Sequence, residues 1–192
     1  MIVRLLCNMT IKKALSRYRG MKDSPDVKLR AMEPSDIDKI YLWENDPNIW
    51  AFSYAHQPFS RHALEQFISE GSNNDIYCSR QLRLIGEVAG EGAVGCIDLY
   101  DFDPYHHRAA IGILIDCQHR RKGYATAMLH NMELFSKEHL QLHQLQCTVA
   151  TDNEASLTLF HNAGFTPCGI LEQWIWNHSQ WTDAILFQKI LL

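Results

Sequence analysis

The stretch RAAIGILIDCQHRRKGYATAMLHNMELFS, residues 108–136, decides the fold. Its opening, Arg108 to Asp116, is a run of apolar and β-branched residues of strand length, and its close sets Ala125, Met128, Leu129, Met132 and Phe135 at helical spacing. Strand, loop, helix is the predicted order. The loop between them is basic, with Arg120, Arg121 and Lys122 leading into the helix. A helix N-terminus presents backbone N–H groups that have no partner inside the helix, together with a partial positive charge. Such a turn is an anion site, suited best to phosphate. A short basic run on its own is more often solvated surface, and the flanking strand and helix are what turn this one into a site.

Arg120-Arg121-Lys122-Gly123-Tyr124-Ala125 fits the pattern Gln/Arg-x-x-Gly-x-Gly/Ala, and a second block follows downstream, NEASLTLFHNAGF at 153–165. Together they resemble the acetyl-coenzyme-A signature of the GCN5-related N-acetyltransferase (GNAT) superfamily. The resemblance runs from near Val27 to the C-terminus. Trp43 to Pro47, Gly95 to Leu99 and Trp181 to Asp183 look similar to the branch that acetylates polyamines or the N-terminal amine of ribosomal proteins.

The resemblance implies an α/β (α+β) fold: a mixed, mostly antiparallel, splayed sheet flanked by helices on both faces. It implies acetyl-coenzyme A as cosubstrate, with no metal, and a primary amine as acceptor. A polyamine such as spermidine is the first choice, a protein N-terminus the second, and a catalytically silent coenzyme-A-binding module the third. By the same likeness, backbone groups of Ile113, Leu114 and Ile115 hold the pantetheine arm, one of them polarising the thioester carbonyl. The diphosphate sits on the amides of Arg121, Lys122, Gly123, Tyr124, Ala125 and Thr126, with Arg120 fixing the loop or touching phosphate. Asn153, Ser156 and Phe160 face the same gap.

Two departures from the family pattern bear on catalysis. Many members carry a tyrosine at the position of Phe160 that protonates the leaving thiolate, and several carry a glutamate near Ala110 that helps deprotonate the amine. Neither phenylalanine nor alanine can do this. Base duty passes through water to Asp98, Asp101 or Asp103, with Ser156 or Tyr124 as the acid. Glu44, Asp46 and Asp103 are the expected partners of a cationic acceptor.

Composition agrees with a globular domain, 46% apolar and 21% charged with net charge −4, which argues against a nucleic-acid binder driven by overall charge. Six scattered cysteines without a Cys-x-x-Cys pair read as reduced thiols of a cytoplasmic protein, and His106-His107 reads as a surface turn. No apolar run reaches the roughly 20 residues of a membrane span. Residues 1–24 are expected to be an extension ahead of a single domain at 25–192, with no membrane partner. A homo-oligomer joined through Trp174, Trp176 and Trp181 is left open.

Along the chain, Val27, Leu29 and Ala31 alternate as a first strand. Pro34 opens a helix that ends before Pro47, and Ser60 caps a second carrying Leu64, Phe67 and Ile68. The aromatic loop between them holds Trp50, Phe52, Tyr54, His56 and Phe59. Gly71 to Asp75 reads as a loop, and Leu82 to Val88 and Ala93 to Phe102 as an antiparallel pair. Alternation returns at Leu145, Cys147 and Val149, Asn153 caps the next helix, Gly164 ends it, and two strands around Asn177 to Gln180 close the chain.

Overall fold

The computed structural model describes residues 24–50, 57–176 and 179–192, with only the backbone at Ser72 and Asn73. The proposed N-terminal extension up to residue 23 and the aromatic side chains of Phe52, Tyr54 and His56 fall outside the described residues.

Strand β1 (Val27–Ala31) is followed by a single 3-10 turn, Pro34–Asp36, and helix α1 (Ile37–Glu44). Proline starts the turn because a first-turn N–H has no helical acceptor to lose. Next come α2 (Pro47–Trp50), α3 (Arg61–Asn73) and α4 (Ile76–Ser79), then β2 (Leu82–Val88), β3 (Gly92–Asp103) and β4 (Arg108–Ile115). Helix α5 (Tyr124–Glu138), β5 (Gln144–Ala150), α6 (Glu154–Asn162), β6 (Thr166–Trp176) and β7 (Trp181–Ile190) complete the chain. The caps read from sequence are present: Ser60 Oγ accepts from Ala63 N at 3.2 Å, and Asn153 Oδ1 from Ser156 N at 3.1 Å.

Two segments depart from the sequence reading: Trp50, read as loop, ends the short helix α2, and the loop read from Gly71 to Asp75 is largely helical. Gly71 to Asn73 continue α3, and Asp75 then caps the short α4 through Cys78 N at 2.9 Å. Gly71 packs close to the end of β1: a Cβ there would lie 3.1 Å from Met32 Cε and would press on the tip of that side chain.

The seven strands form one sheet in the order β1-β2-β3-β4-β5-β7-β6, in which only β4 and β5 run parallel. Each face has its own core. Helices α5 and α6 cover one face with Met128, Leu129, Met132, Phe135 and Phe160, packed on Leu84, Val94, Ile97, Leu99, Ile111 and Leu145. Helices α1 and α3 cover the other with Ile40, Trp43, Leu64 and Ile68 over Ile85 and Cys96. Neighbouring residues of β2 and β3 therefore point into different cores, the period of two that a strand imposes. On β6 the pattern fails, because this edge strand leaves Ile170, Trp174 and Trp176 exposed.

Candidate active site

β4 and β5 pair only over Arg108–Ala110 and Gln144–Gln146, after which they part. Beyond Ala110, β4 keeps β3 on one side and has a gap on the other. Asp116 N–H donates to Val94 O at 3.0 Å, and the β3–β4 register runs unbroken from Ile115 back to Ala110. Antiparallel alternation then turns the amides of Gly112 and Leu114 toward β3 and those of Ile113 and Ile115 toward the gap. Of the three strand residues expected to hold a pantetheine arm, Ile113 and Ile115 turn their amides to the gap and Leu114 turns its amide to β3.

The basic loop closes the open end of this gap. Gly123 is the N-cap of α5 at φ 81, and Arg121 takes φ 64, a left-handed angle rare outside glycine. Arg120 Nε donates to Ile115 O at 3.2 Å, so this guanidinium fixes the loop to the strand end. The first-turn amides of α5 behind Gly123 have no acceptor inside the helix, the kind of donor array that suits a phosphate.

Two carboxylates that sequence reasoning missed brace the loop from outside. Glu91, at the tip of the β2–β3 turn, accepts from Tyr124 Oη at 2.6 Å and Lys122 Nζ at 2.8 Å, with His119 Nε2 at 3.4 Å. The hydrogen bonds from Lys122 and Tyr124 lower the Glu91 carboxyl, and the same bond raises the Tyr124 phenol. The Tyr124 hydroxyl, expected as an acid, and the Lys122 ammonium are thus both bonded to Glu91 in this structure. Asp116 Oδ2 accepts from Lys39 Nζ at 2.8 Å and Trp43 Nε1 at 3.2 Å, both on α1, and its Oδ1 accepts from Gln118 N at 3.0 Å. Burial pushes this carboxyl up, but the three hydrogen bonds outweigh it and bring it down to about 2.

On the face toward α1 and α3, the acidic residues expected to meet the acceptor already have partners. Both oxygens of Asp98 accept from Arg83, at 2.7 Å through Nε and 2.8 Å through Nη2, and Arg83 Nη1 also donates to Glu44. Phe67 stacks against the guanidinium at 5.5 Å. Burial opposes the charge on Arg83, yet its carboxylates hold it firmly protonated. Glu44 ends α1, where the helix dipole disfavours an anion, and Arg83 supplies the compensation. The trio keeps a net charge of −1. Asp46 Oδ1 accepts from Asn48 N at 2.9 Å, and Asp103 Oδ1 accepts from the Tyr105 and His106 amides in the β3–β4 turn. Asp101, exposed at φ 50, stands at a bulge near the strand end.

α6 starts just after β5 ends at Ala150, with Asn153 as its N-cap and Ser156 in its first turn. Phe160 lies deeper, buried in a T-shaped contact with Phe165 at 5.1 Å. Lys189 holds the far end of α6, its Nζ donating to Ala163 O and to Glu133 Oε2, both at 2.6 Å.

A splayed parallel pair, a left-handed glycine opening a helix and a basic loop below it describe a cleft for an extended thioester with a diphosphate tail. Residues 26–166 match the family described as "Acetyltransferase (GNAT) domain". The chain belongs to the GNAT acetyltransferases. As a GNAT protein it is an N-acetyltransferase with acetyl-coenzyme A as cosubstrate. It is similar to the spermidine N(1)-acetyltransferase of Vibrio cholerae serotype O1, 26% identical over 156 residues that cover 81% of this chain and 88% of that protein. The crystal structure of a Vibrio cholerae spermidine N-acetyltransferase in complex with CoA and spermine shares the fold, with a TM-score of 0.77 at 24% identity over 86% of this chain and 95% of that one. A dodecameric structure of the Vibrio cholerae enzyme matches with a TM-score of 0.73 at 23% identity, over 86% and 94%.

Proposed function

We propose that this acetyltransferase moves an acetyl group from acetyl-coenzyme A to a primary amine of a polyamine such as spermidine. The observation that carries the transfer is the parting of β4 from β5 beyond Ala110, which turns strand amides to a gap beside the start of α5, where we place the diphosphate. The acceptor class rests on the likeness to spermidine N(1)-acetyltransferase and on the net negative Glu44–Arg83–Asp98 trio on the acceptor face. Bound acetyl-coenzyme A supplies the thioester carbonyl. Ile113 or Ile115 N–H polarises that carbonyl, the α5 amides hold the diphosphate, and Asn153 and Ser156 line the wall opposite β4. An alkylammonium with pKa near ~10 has no lone pair, so the site must take the amine neutral or strip its proton through water. Asp98, Asp101 and Ser156 stay as the proposed routes for that proton, with Asp98 working from inside its ion pair. We place the enzyme in the cytoplasm, with reduced thiols, and assign the exposed tryptophans of β6 and β7 to contacts between copies.

Thiol release from acetyl-coenzyme A with spermidine, spermine, short diamines and N-terminal peptides tests the reading. The largest kcat/KM should fall to a polyamine. Preference for a peptide, or coenzyme-A binding without release, would overturn the acceptor or the activity respectively.

A further inference from the structure

The family's acid and base positions hold Phe160 and Ala110 here, so the reacting centre lacks both expected proton-handling side chains. Tyr100 lies beside the second of these. It is the cross-strand partner of Ala110, the last β4 residue that β5 pairs with, and so stands at the vertex where the strands separate. It shares its face with Cys96 and Asp98, the face that α1 and α3 cover and on which the proposed function places the acceptor.

Small neighbours let its ring lean over β4. Ala110 fills little space, and the position of a Cβ on Gly112 would lie 3.6 Å from Tyr100 Cε1. Strands are about 4.8 Å apart, and a tyrosine reaches past one such spacing, so a ring whose edge lies above Gly112 is long enough to bring its hydroxyl across β4. The backbone just after Tyr100 is also unusual. The β3–β4 register slips between Tyr100 and Asp103, and Asp101 adopts φ 50 without being glycine. Bulges of this kind recur beside active sites, where they re-aim a side chain, and a strained non-glycine angle persists only where the surroundings enforce it.

From this geometry we infer that Tyr100 is a catalytic residue that touches the acceptor amine. Its phenolic oxygen accepts a hydrogen bond from the neutral amine and aligns the nitrogen lone pair on the thioester carbon. As the C–N bond forms, the nitrogen's surplus proton goes to the phenolic oxygen while the phenol's own proton leaves to water. The C–S bond breaks with its electron pair on sulfur, which takes a proton from solvent. The phenol ends as it began.

The inference rests on the acetyltransferase reading, and Tyr100→Phe separates the two, because it keeps the ring and removes only the oxygen. Loss of one hydrogen bond to the reacting amine predicts kcat lower by about tenfold with the best amine of the panel. Calorimetric affinity for coenzyme A should stay within about twofold of wild type, while spermidine titrated into the coenzyme-A complex should bind about threefold more weakly. Wild-type kcat and spermidine affinity in Y100F would overturn the role of Tyr100 alone. Equal losses of coenzyme-A and amine binding would reduce it to a packing residue, and a wild-type protein inert toward every amine would take the acetyltransferase reading down with it.

Discussion

The two sides of β4 are built from different materials. Toward the gap, the groups that would hold the cosubstrate are backbone amides: those of Ile113 and Ile115 and the start of α5 behind Gly123. Toward α1 and α3, the working groups are side chains tied into ion pairs, Arg83 with Asp98 and Glu44, and Asp116 with Lys39. Backbone sites tolerate side-chain exchange and fail when the main chain is displaced. Side-chain sites do the reverse.

Displacing the main chain should give the largest effect. A Cβ on Gly95 would lie 2.2 Å from Leu114 O and 3.1 Å from Ile115 Cα, contacts that only a backbone shift relieves. Gly95→Ala is expected to cost about 3 kcal/mol or more in urea unfolding and to abolish coenzyme-A binding. If G95A folds and binds as wild type, the backbone account of the cosubstrate side is wrong. Next is Arg83→Met, which strands two half-buried carboxylates. A loss of about 3 kcal/mol is expected, with coenzyme-A affinity retained in the folded fraction and amine KM changed. An R83M protein that lost both ligands equally would erase the contrast.

Asp116 is where the two sides meet, since it binds α1 through Lys39 and Trp43 and the phosphate loop through Gln118. Its carboxyl, at about 2 when folded and near ~3.9 when unfolded, is depressed, so its stabilisation of about 2.5 kcal/mol is complete above roughly pH 5 and fades as pH falls through 4 toward 2. Asp116→Asn should lose about that amount at neutral pH and flatten this acid limb. Acid titrations of stability that superimpose for both proteins would contradict it. The smallest effect belongs to Glu91, whose pairs with Lys122 and Tyr124 lie at the surface. Glu91→Ala should raise KM for acetyl-coenzyme A by about threefold through a looser loop, at unchanged kcat. A lowered KM would instead make Glu91 a competitor that keeps Lys122 from phosphate.

How much was legible in the sequence follows the same division. Gly123, Asn153 and Gly164 betray the backbone they serve, because a left-handed angle or a cap needs a particular residue within a few positions. The sheet order and the splay came with the family likeness they carry. The ion pairs were out of reach: Arg83 meets Glu44 across 39 residues and Asp116 meets Lys39 across 77, and only strand register decides such meetings. Asp98 therefore read as a free base when it is held by Arg83, and Tyr124 as an acid when its hydroxyl points to Glu91. Tyr100 carried no local signal, since its place depends on the β3–β4 pairing and the bulge behind it.

Amide hydrogen exchange along β4, followed by NMR with and without coenzyme A, reads the central claim directly. The account predicts that Ile113 and Ile115, whose N–H groups face the gap, slow markedly when the ligand binds, while Gly112 and Leu114, already bonded to β3, change little. Coenzyme A binding that leaves Ile113 and Ile115 exchanging at their free rates would contradict it.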